Sequence, residues 1–223
     1  MRNATIDTNI IGHLYRCKAG KLMTNLFEVI FVDEMILIEL QKNCSDIYDE
    51  FYEDVINTGS CYKLVTGEIL KDQNLYSVYE AQLKDYNDLF FPQDEGEKRA
   101  IVLGQTFGAF YLLTDDQKYM DGPAYMIQNE IIKDMESLAF WELIFLNVLC
   151  DYISFDQAKE YYDIISNKGF TDGYKPDFTQ KTKQAVRRLS KQEWFRLWIK
   201  DQNIPEKRIA DYLRYAKSIE LIA

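Results

Sequence analysis

Histidine and paired cysteines are the scarcest chemical groups in this chain of 223 residues. There is one histidine, His13, and the four cysteines, at positions 17, 44, 61 and 150, form no C-x-x-C pair. A zinc site built from Cys and His ligands is therefore disfavoured. A histidine-dependent mechanism would have to use His13, which lies in an apolar-rich stretch and is predicted to be an ordinary helix-face residue.

Glycine-rich signatures and long apolar runs are also lacking. The sequence contains no G-x-S-x-G, P-loop or G-x-G-x-x-G motif. It therefore lacks the usual signatures of nucleophile-elbow hydrolases, P-loop NTPases and dinucleotide-binding enzymes. No apolar run reaches the roughly 20 residues of a membrane span, and the start shows no signal-peptide pattern. We therefore expect a cytoplasmic protein without a membrane partner.

The chain does contain ample core-forming residues and an uneven distribution of charge. Its hydrophobic fraction is 47%, which is far from a disordered composition, and its net charge is −10. Residues 175–223 carry 12 Lys and Arg against 6 Asp and Glu, whereas the remaining residues carry 14 against 30. An acidic body and a basic C-terminal segment are therefore expected, either as solvated surfaces or as distinct binding surfaces.

Short apolar segments alternate with helical patterns along the acidic body. Near-continuous apolar strands that alternate with helices indicate an α/β fold with a parallel sheet covered on both faces. The Gly108 position suits the left-handed C-terminal cap of the helix before it, and Asp33 suits an N-cap. The predicted strands are 4–6, 28–32, 61–65 and 109–114, and the predicted helices are 74–90, 96–107, 137–150 and 155–166.

The C-terminal segment is predicted to be helical. Residues 167–178 collect Gly, Pro, Asn and Asp, which marks a linker, and we expect one domain over 1–168 and a basic helical extension over 169–223. Ser190 and Glu193 have the spacing of a capping box that opens a helix over 191–200. Pro205 suits the first turn of a final helix over 206–221.

Acidic side chains stand repeatedly where parallel strands end. Asp7 ends the first strand, Asp115 and Asp116 end the strand that begins near 109, and Glu39 follows the second strand by one to two helical turns. Functional groups of parallel α/β sheets gather at the carboxyl ends of strands. The acids are therefore expected to lie near one another.

Helical and strand spacing rank the acids within each crowded group. Glu97 shares the apolar face formed by Ala100, Ile101 and Gly104, whereas Asp94 and Glu95 precede the regular helix. In an extended strand Thr114 and Asp116 point to one face and Asp115 to the other. Glu97 and Asp116 are therefore the preferred candidates, with Asp115 second. Acids at a helix start are also explained by the helix dipole alone.

Converging carboxylates without basic partners favour a hard divalent cation. Their mutual repulsion would raise their pKa values, and oxygen ligands without His or Cys suit Mg²⁺ or Mn²⁺. The chemistry that follows most directly is metal-assisted hydrolysis of a phosphodiester bond.

The segments "TIDTNII", "IFVDEMILIEL" and "GEKRAIVLGQTFGAFYLLTDDQK", in this order, resemble the PIN-domain nucleases, especially toxins of VapBC-type toxin–antitoxin pairs. The likeness spans about residues 3–165 and implies a Rossmann-like PIN fold, Mg²⁺ or Mn²⁺, and cleavage of single-stranded RNA. It also admits an antitoxin-like partner and a homodimer. Carried over by position, the resemblance implies metal ligands Asp7, Glu97 and Asp116 helped by Asp115, a catalytic acid cluster of Asp7, Glu39, Glu97 and Asp116, and polar supports Asn9 and Thr114.

Two other functions remain open at this point. A catalytically inactive PIN-fold module that binds RNA or protein is the main alternative, and Asn9 disfavours a haloacid-dehalogenase-type phosphotransferase, which needs a second Asp there. Residues 193–220 faintly resemble the core-binding segment of tyrosine recombinases, although their apolar residues could simply pack the extension. The cations expected to attract RNA phosphates are Lys98, Arg99, Lys118, Arg187 and Arg188.

Overall fold

A computed structural model of the chain describes residues 1–91, 94–116, 122–168 and 177–220, with the backbone alone at Glu220. The chain divides into two compact units. The first unit comprises Met1–Gly20 and Phe27–Phe140, and the second comprises Lys21–Leu26 and Trp141–Ala223.

The first unit is built on a parallel sheet. Within the described residues the sheet has five strands in the order β3-β2-β1-β4-β5, and every neighbouring pair is parallel. The α/β class and the parallel sheet expected from the alternating pattern are therefore confirmed. The strands are β1 (Asn3–Ile6), β2 (Val29–Asp33), β3 (Tyr62–Val65), β4 (Tyr111–Leu113) and β5 (Glu136–Leu138).

Helices flank the sheet of this unit. α7 packs against β1, β2 and β4, while α3 contacts β2, α4 contacts β3 and α8 contacts β5. The helices are α1 (Thr8–Arg16), α3 (Glu34–Asn43), α4 (Ser45–Ile56), α5 (Gly67–Asp72), α6 (Tyr76–Asp85), α7 (Glu95–Phe107) and α8 (Pro123–Gln128). The patterns above predict α1, α3, α6 and α7 but not α4, α5 or α8.

The strands form where the sequence is continuously apolar. Ala4, Ile6, Ile30, Val32 and Leu112 are at most 1% exposed, as expected for strands covered on both faces. Burying a Val, Leu or Ile side chain of this kind contributes about 1.5–3 kcal/mol relative to exposure, so the centre of the sheet stabilises the first unit.

Two predicted helix caps are confirmed. The Asp33 carboxylate accepts a hydrogen bond from the Met35 amide at 2.8 Å, and α3 begins at the next residue. Gly108 adopts φ of 63°, a left-handed conformation that costs glycine little, and α7 ends there. The Asp33 cap sets the start of α3, which carries Glu39, and the Gly108 cap sets the end of α7, which carries Glu97.

The helix predicted from residue 137 starts too early. Residues 136–138 form β5, and the helix begins at Phe140. β5 pairs with β4, and the Thr114 amide donates to the Leu138 carbonyl at 3.1 Å. The sequence of this segment is strongly apolar and would fit either a helix or a strand. Backbone pairing with β4 makes it a strand.

The second unit is helical and has an aromatic core. Phe145 contacts both Phe195 and Tyr212, and Phe155 also contacts Tyr212. Its helices are α2 (Lys21–Thr24), α9 (Phe140–Leu149), α10 (Phe155–Lys168), α11 (Phe178–Leu189), α12 (Glu193–Asp201) and α13 (Glu206–Glu220), the first residue of α9 belonging to the first unit. α9 and α10 contribute Phe145 and Phe155 to this core, and all of α10 belongs to the second unit.

The predicted capping box at Ser190 and Glu193 does not form. Ser190 ends α11, and α12 has Gln192 at its N-cap position without a side-chain cap bond. The sequence patterns miss α11 because its polar residues hide a narrow buried face that includes Ala185 and Leu189. Most of the predicted linker, residues 169–176, lies outside the described residues.

In the parts of the chain that the structure describes, no helix combines the length and the apolar character needed to cross a membrane.

Candidate active site

Asp7 lies directly after β1 at the carboxyl end of the sheet. Its amide donates to the Leu113 carbonyl of β4 at 2.9 Å, which continues the strand pairing and fixes the start of α1. Thr114 Oγ1 donates to Asp7 Oδ2 at 2.9 Å, and Asn9 Nδ2 donates to the same oxygen at 3.3 Å. The Asp7 side chain makes no N-cap bond to α1. Its orientation is therefore set by the two supporting side chains expected from the sequence, Asn9 and Thr114.

Glu39 reaches this edge of the sheet from α3. Thr8 Oγ1, in the first turn of α1, donates to Glu39 Oε2 at 2.6 Å. The same carboxylate lies against the backbone of Gly96, where an added Cβ would come within 2.3 Å of Oε2. Glu39 is therefore held between the first turns of α1 and α7, and the absence of a side chain at position 96 makes room for it.

Asp116 approaches from the loop after β4. Its amide donates to Thr114 Oγ1 at 3.1 Å, and the residue is 7% exposed. Thr114 thus joins two acids, because its hydroxyl accepts from the Asp116 backbone and donates to the Asp7 carboxylate. This link brings the end of β4 to the end of β1.

The electrostatic environment of Asp7 is that of a buried acid among other acids. The pKa of Asp7 is raised to about 6, first by burial and then by the Asp116 and Glu39 carboxylates, while hydrogen bonds from Thr114 and from the Thr8 backbone oppose the rise. Ionising Asp7 therefore costs more free energy in the folded protein than in the unfolded chain, and the carboxylate carries this cost at neutral pH, where it is mostly ionised. A bound cation would remove this cost, since opposite charge stabilises a carboxylate.

Asp115 faces a different set of partners. One oxygen lies 2.7 Å from His13 Nδ1 and the other accepts from the Phe140 amide at 2.8 Å. Both oxygens of Asp115 therefore have protein partners within the first unit. The strand alternation that ranked Asp116 ahead of Asp115 agrees with this separation. The one histidine supports Asp115 on the α1 side.

Glu97 is 9% exposed on α7, as expected from its spacing with the apolar face. It follows Gly96, against which the Glu39 carboxylate rests. The neighbouring cations are engaged in the same helix, since Lys98 and Arg99 both pair with Glu95. Lys98 is also buried and donates to Asn87. The structure therefore shows Lys98 and Arg99 within an ion-pair network instead of presenting them openly to phosphates.

The remaining predicted cations lie elsewhere. Arg188 forms a bidentate pair with Glu142 at 2.5 and 2.8 Å, so its guanidinium serves the helical unit. Arg187 is exposed on α11. Lys118 lies outside the described residues.

The carboxylate oxygens of these acids suit a hard cation, but the side chains do not surround a metal-sized site. Asp7, Glu39 and Asp116 provide only carboxylate oxygens, which suit Mg²⁺ or Mn²⁺. Among the residues that the structure describes, however, no three His, Cys, Asp or Glu side chains converge closely enough to enclose a metal ion. The observed group is therefore a set of interacting carboxylates, and cation binding would require Glu97 or the others to move closer or water to bridge them.

Three residues that the sequence patterns do not single out shape this site. Thr8 holds Glu39, His13 holds Asp115 and Gly96 makes room for Glu39. Thr8 could have been noticed from its place next to Asp7. Neither the Gly96 contact nor the His13 contact has a local sequence signal, because each joins segments that only the fold brings together.

Comparisons with protein-family models, with curated proteins and with solved structures each gave no match to this chain. Functional conclusions therefore depend on the geometry of the acids and on the resemblance of the short motifs.

Proposed function

We propose that this protein is a PIN-type, Mg²⁺- or Mn²⁺-dependent endoribonuclease that hydrolyses phosphodiester bonds of single-stranded RNA. The observation that carries the proposal is the meeting of Asp7, Asp116 and Glu39 at one end of the sheet, where Thr114 links Asp7 to Asp116 and Thr8 holds Glu39. Burial first, and then the two neighbouring carboxylates, raise the pKa of Asp7. A protein that needed Asp7 only for its fold would gain nothing from two further acids beside it. Proteins rarely retain a buried charge near like charges without a functional reason.

In this proposal Asp7, Glu39 and Asp116 hold the cation, and Glu97, the buried acid that follows Gly96 on α7, is a further ligand. When bound, the cation supplies a polarised phosphate and an activated water. Thr114 and Asn9 keep Asp7 Oδ2 in place, and Thr8 keeps Glu39 in place. Asp115 is the helping ligand of this set, with one oxygen beside His13 Nδ1 and the other accepting from the Phe140 amide.

The test is cleavage of a labelled single-stranded RNA by the full chain with Mn²⁺, Mg²⁺ or EDTA. We expect Mn²⁺-dependent cleavage that Asp7→Asn and Glu39→Gln each reduce by about 100-fold or more, since each removes a ligand that acts in the transition state. Asp49→Asn, which changes an exposed acid of α4, is the matched control and should cleave normally. Double-stranded RNA and single-stranded DNA of the same sequence test the choice of substrate.

A binding-only module is the second candidate, and the lack of three converging ligands in the described residues favours it. Thermal denaturation with and without Mn²⁺ separates the two functions. The ribonuclease should gain thermal stability with Mn²⁺, and Asp7→Asn should lose that gain. No gain, together with RNA binding that persists in EDTA, would support the binding module.

A role as the toxin of an antitoxin pair also belongs to this proposal and requires growth arrest on expression.

A further inference from the structure

A cavity of about 470 Å³ opens beside the carboxyl ends of β2 and β3. Its volume lies in the range that small-molecule sites occupy, about 300–1,000 Å³. Asp33, Tyr79 and Arg99 line it together with Tyr76 of α6. The exposed or half-buried charges along it are Glu34, Glu68, Glu80, Lys71 and Arg99.

The deepest polar groups of the cavity are already balanced. Tyr79 Oη donates to Asp33 Oδ2 at 2.6 Å, and the Met35 amide donates to the other oxygen at 2.8 Å. Arg99 Nε donates to Glu95 at 2.7 Å. Arg99 and Lys71 are the cations that line the cavity, and they face four lining carboxylates, Asp33, Glu34, Glu68 and Glu80. A bare phosphate would meet more carboxylates than cations there, so an anionic ligand is disfavoured.

Tyr76 and Glu34 border the same open space. An added Cβ at Gly67 would lie 3.6 Å from the Tyr76 ring and 3.9 Å from Glu34 Oε1. The Tyr76 ring and the Glu34 carboxylate therefore both lie beside the backbone of Gly67. Lys71 Nζ lies over the Tyr76 ring, 4.9 Å from its centre, so a base that stacks on this face must displace the ammonium toward the rim of the cavity.

We propose that this cavity is a nucleoside subsite for a base that carries N–H donors, with guanine the best fit. Aromatic side chains bind single-stranded bases by stacking, which Tyr76 can provide. Carboxylates only accept hydrogen bonds, and guanine places two neighbouring N–H groups on one edge for an acceptor such as Glu34. Uracil offers a single N–H group there.

The location fits the proposed ribonuclease, on which the assignment of this nucleoside to an RNA substrate rests. The ends of β2 and β3 belong to the same sheet edge as Asp7, and β2 is the immediate neighbour of β1. Neighbouring parallel strands lie about 4.8 Å apart, so the ends of β2 and β3 lie about 5 and 10 Å to the side of the end of β1, which Asp7 follows. A base bound in the cavity would place an adjoining phosphodiester toward the acids.

The test measures binding of the uncharged nucleosides guanosine, adenosine, cytidine and uridine to the Asp7→Asn full chain in EDTA, by saturation-transfer NMR and calorimetry. We expect guanosine to bind about fivefold more tightly than uridine, since it makes one more hydrogen bond. Tyr76→Ala should weaken guanosine binding about tenfold through lost stacking, and Tyr76→Phe should retain it. Glu34→Gln should remove the preference for guanosine. Tyr48→Ala, on α4, is the matched control and should bind normally.

Several results would overturn the proposal. These are no binding of any nucleoside at low millimolar concentration, unchanged binding by Tyr76→Ala with an intact fold, or tight binding of spermidine or inorganic phosphate in place of guanosine. Because nucleoside binding needs neither the cation nor Asp7, it can succeed where RNA cleavage fails. Conversely, if the Tyr76→Ala variant cleaves RNA with the same base preference as the unchanged protein, the ribonuclease is supported and the subsite is rejected.

Discussion

Each unit of the molecule buries a carboxylate, and the two carboxylates have opposite surroundings. In the helical unit Glu142 is 4% exposed and receives two hydrogen bonds from Arg188. In the sheet unit Asp7 is 1% exposed, and its charged neighbours are Asp116 and Glu39. A buried acid with its own cation serves the fold. A buried acid among acids weakens the fold, and it is therefore the better candidate for function.

The largest expected effect tests the paired acid. Arg188→Ala should lower the free energy of unfolding by about 3–5 kcal/mol, because it leaves the Glu142 carboxylate buried without its cation. Urea denaturation of the full chain measures the loss. Arg187→Ala, which changes the exposed neighbour on α11, should cost no more than about 0.5 kcal/mol.

A second substitution tests whether the Arg188 effect is electrostatic. Adding Glu142→Gln to Arg188→Ala should restore part of the stability, because the uncompensated charge is then gone. Equal losses for the Arg188→Ala and Arg187→Ala variants would remove the contrast between the two units.

The next effect concerns the acid among acids, and it has the opposite sign. The pKa of Asp7 is raised from 3.8 to about 6 in the folded state, so ionisation costs stability above that range. Asp7→Asn should therefore raise the free energy of unfolding at pH 7–8, by up to about 3 kcal/mol, since one pKa unit corresponds to about 1.4 kcal/mol. The gain should shrink as the pH falls from 6 and vanish below 3.8, where both states are protonated.

Thermal denaturation across pH measures the Asp7→Asn effect, with Asp49→Asn as the control that should show no such gain. A destabilised Asp7→Asn variant at pH 8 would mean that the carboxylate serves the fold, as Glu142 does. The same variant is expected to lose RNA cleavage, so stability and activity should move in opposite directions.

The sequence predicts those parts of the molecule whose signals are local. Continuous apolar strands such as β2, the Asp33 cap and the Gly108 cap each follow from neighbouring residues, and the structure bears them out. β5 is three residues long, and it is a strand because β4 pairs with it. Backbone pairing of this kind leaves no mark in the apolar pattern of the segment.

The candidate site shows the same limit. Spacing ranks Asp116 ahead of Asp115 and shows that Glu97 shares a buried face, because both are properties of one strand or one helix. The contact between Thr8 and Glu39 joins residues 31 apart in sequence, and that between His13 and Asp115 joins residues 102 apart. Only the folded chain decides which acids meet one another and which acid meets the histidine.

A smaller effect distinguishes a real helix cap in the helical unit from one that only the sequence pattern predicts. Asp177 accepts a hydrogen bond from the Gln180 amide at 2.8 Å, whereas Ser190 caps no helix start. Asp177→Ala should cost about 1 kcal/mol and Ser190→Ala much less, since only the first removes a cap. Urea denaturation compares the two variants directly. Equal costs would mean that the predicted capping box forms in solution.

The smallest expected change in stability concerns Gly96, where fold and site have different requirements. An alanine at position 96 favours the helix by up to about 1 kcal/mol, but its Cβ must displace the Glu39 carboxylate, which loses the hydrogen bond from Thr8. Because these contributions oppose each other, Gly96→Ala should change the free energy of unfolding by less than about 1 kcal/mol.

Gly96→Ala should nevertheless abolish both the Mn²⁺-dependent gain in melting temperature and RNA cleavage. Gly12→Ala on α1 is the matched control, because an added Cβ there meets its nearest neighbour at an ordinary 3.4 Å. A Gly96→Ala variant that keeps its Mn²⁺ response and its activity would show that Glu39 does not act from the position it occupies. The contrast between the two units would then depend on Asp7 and Asp116 alone, since they would be the acids still placed to share a cation.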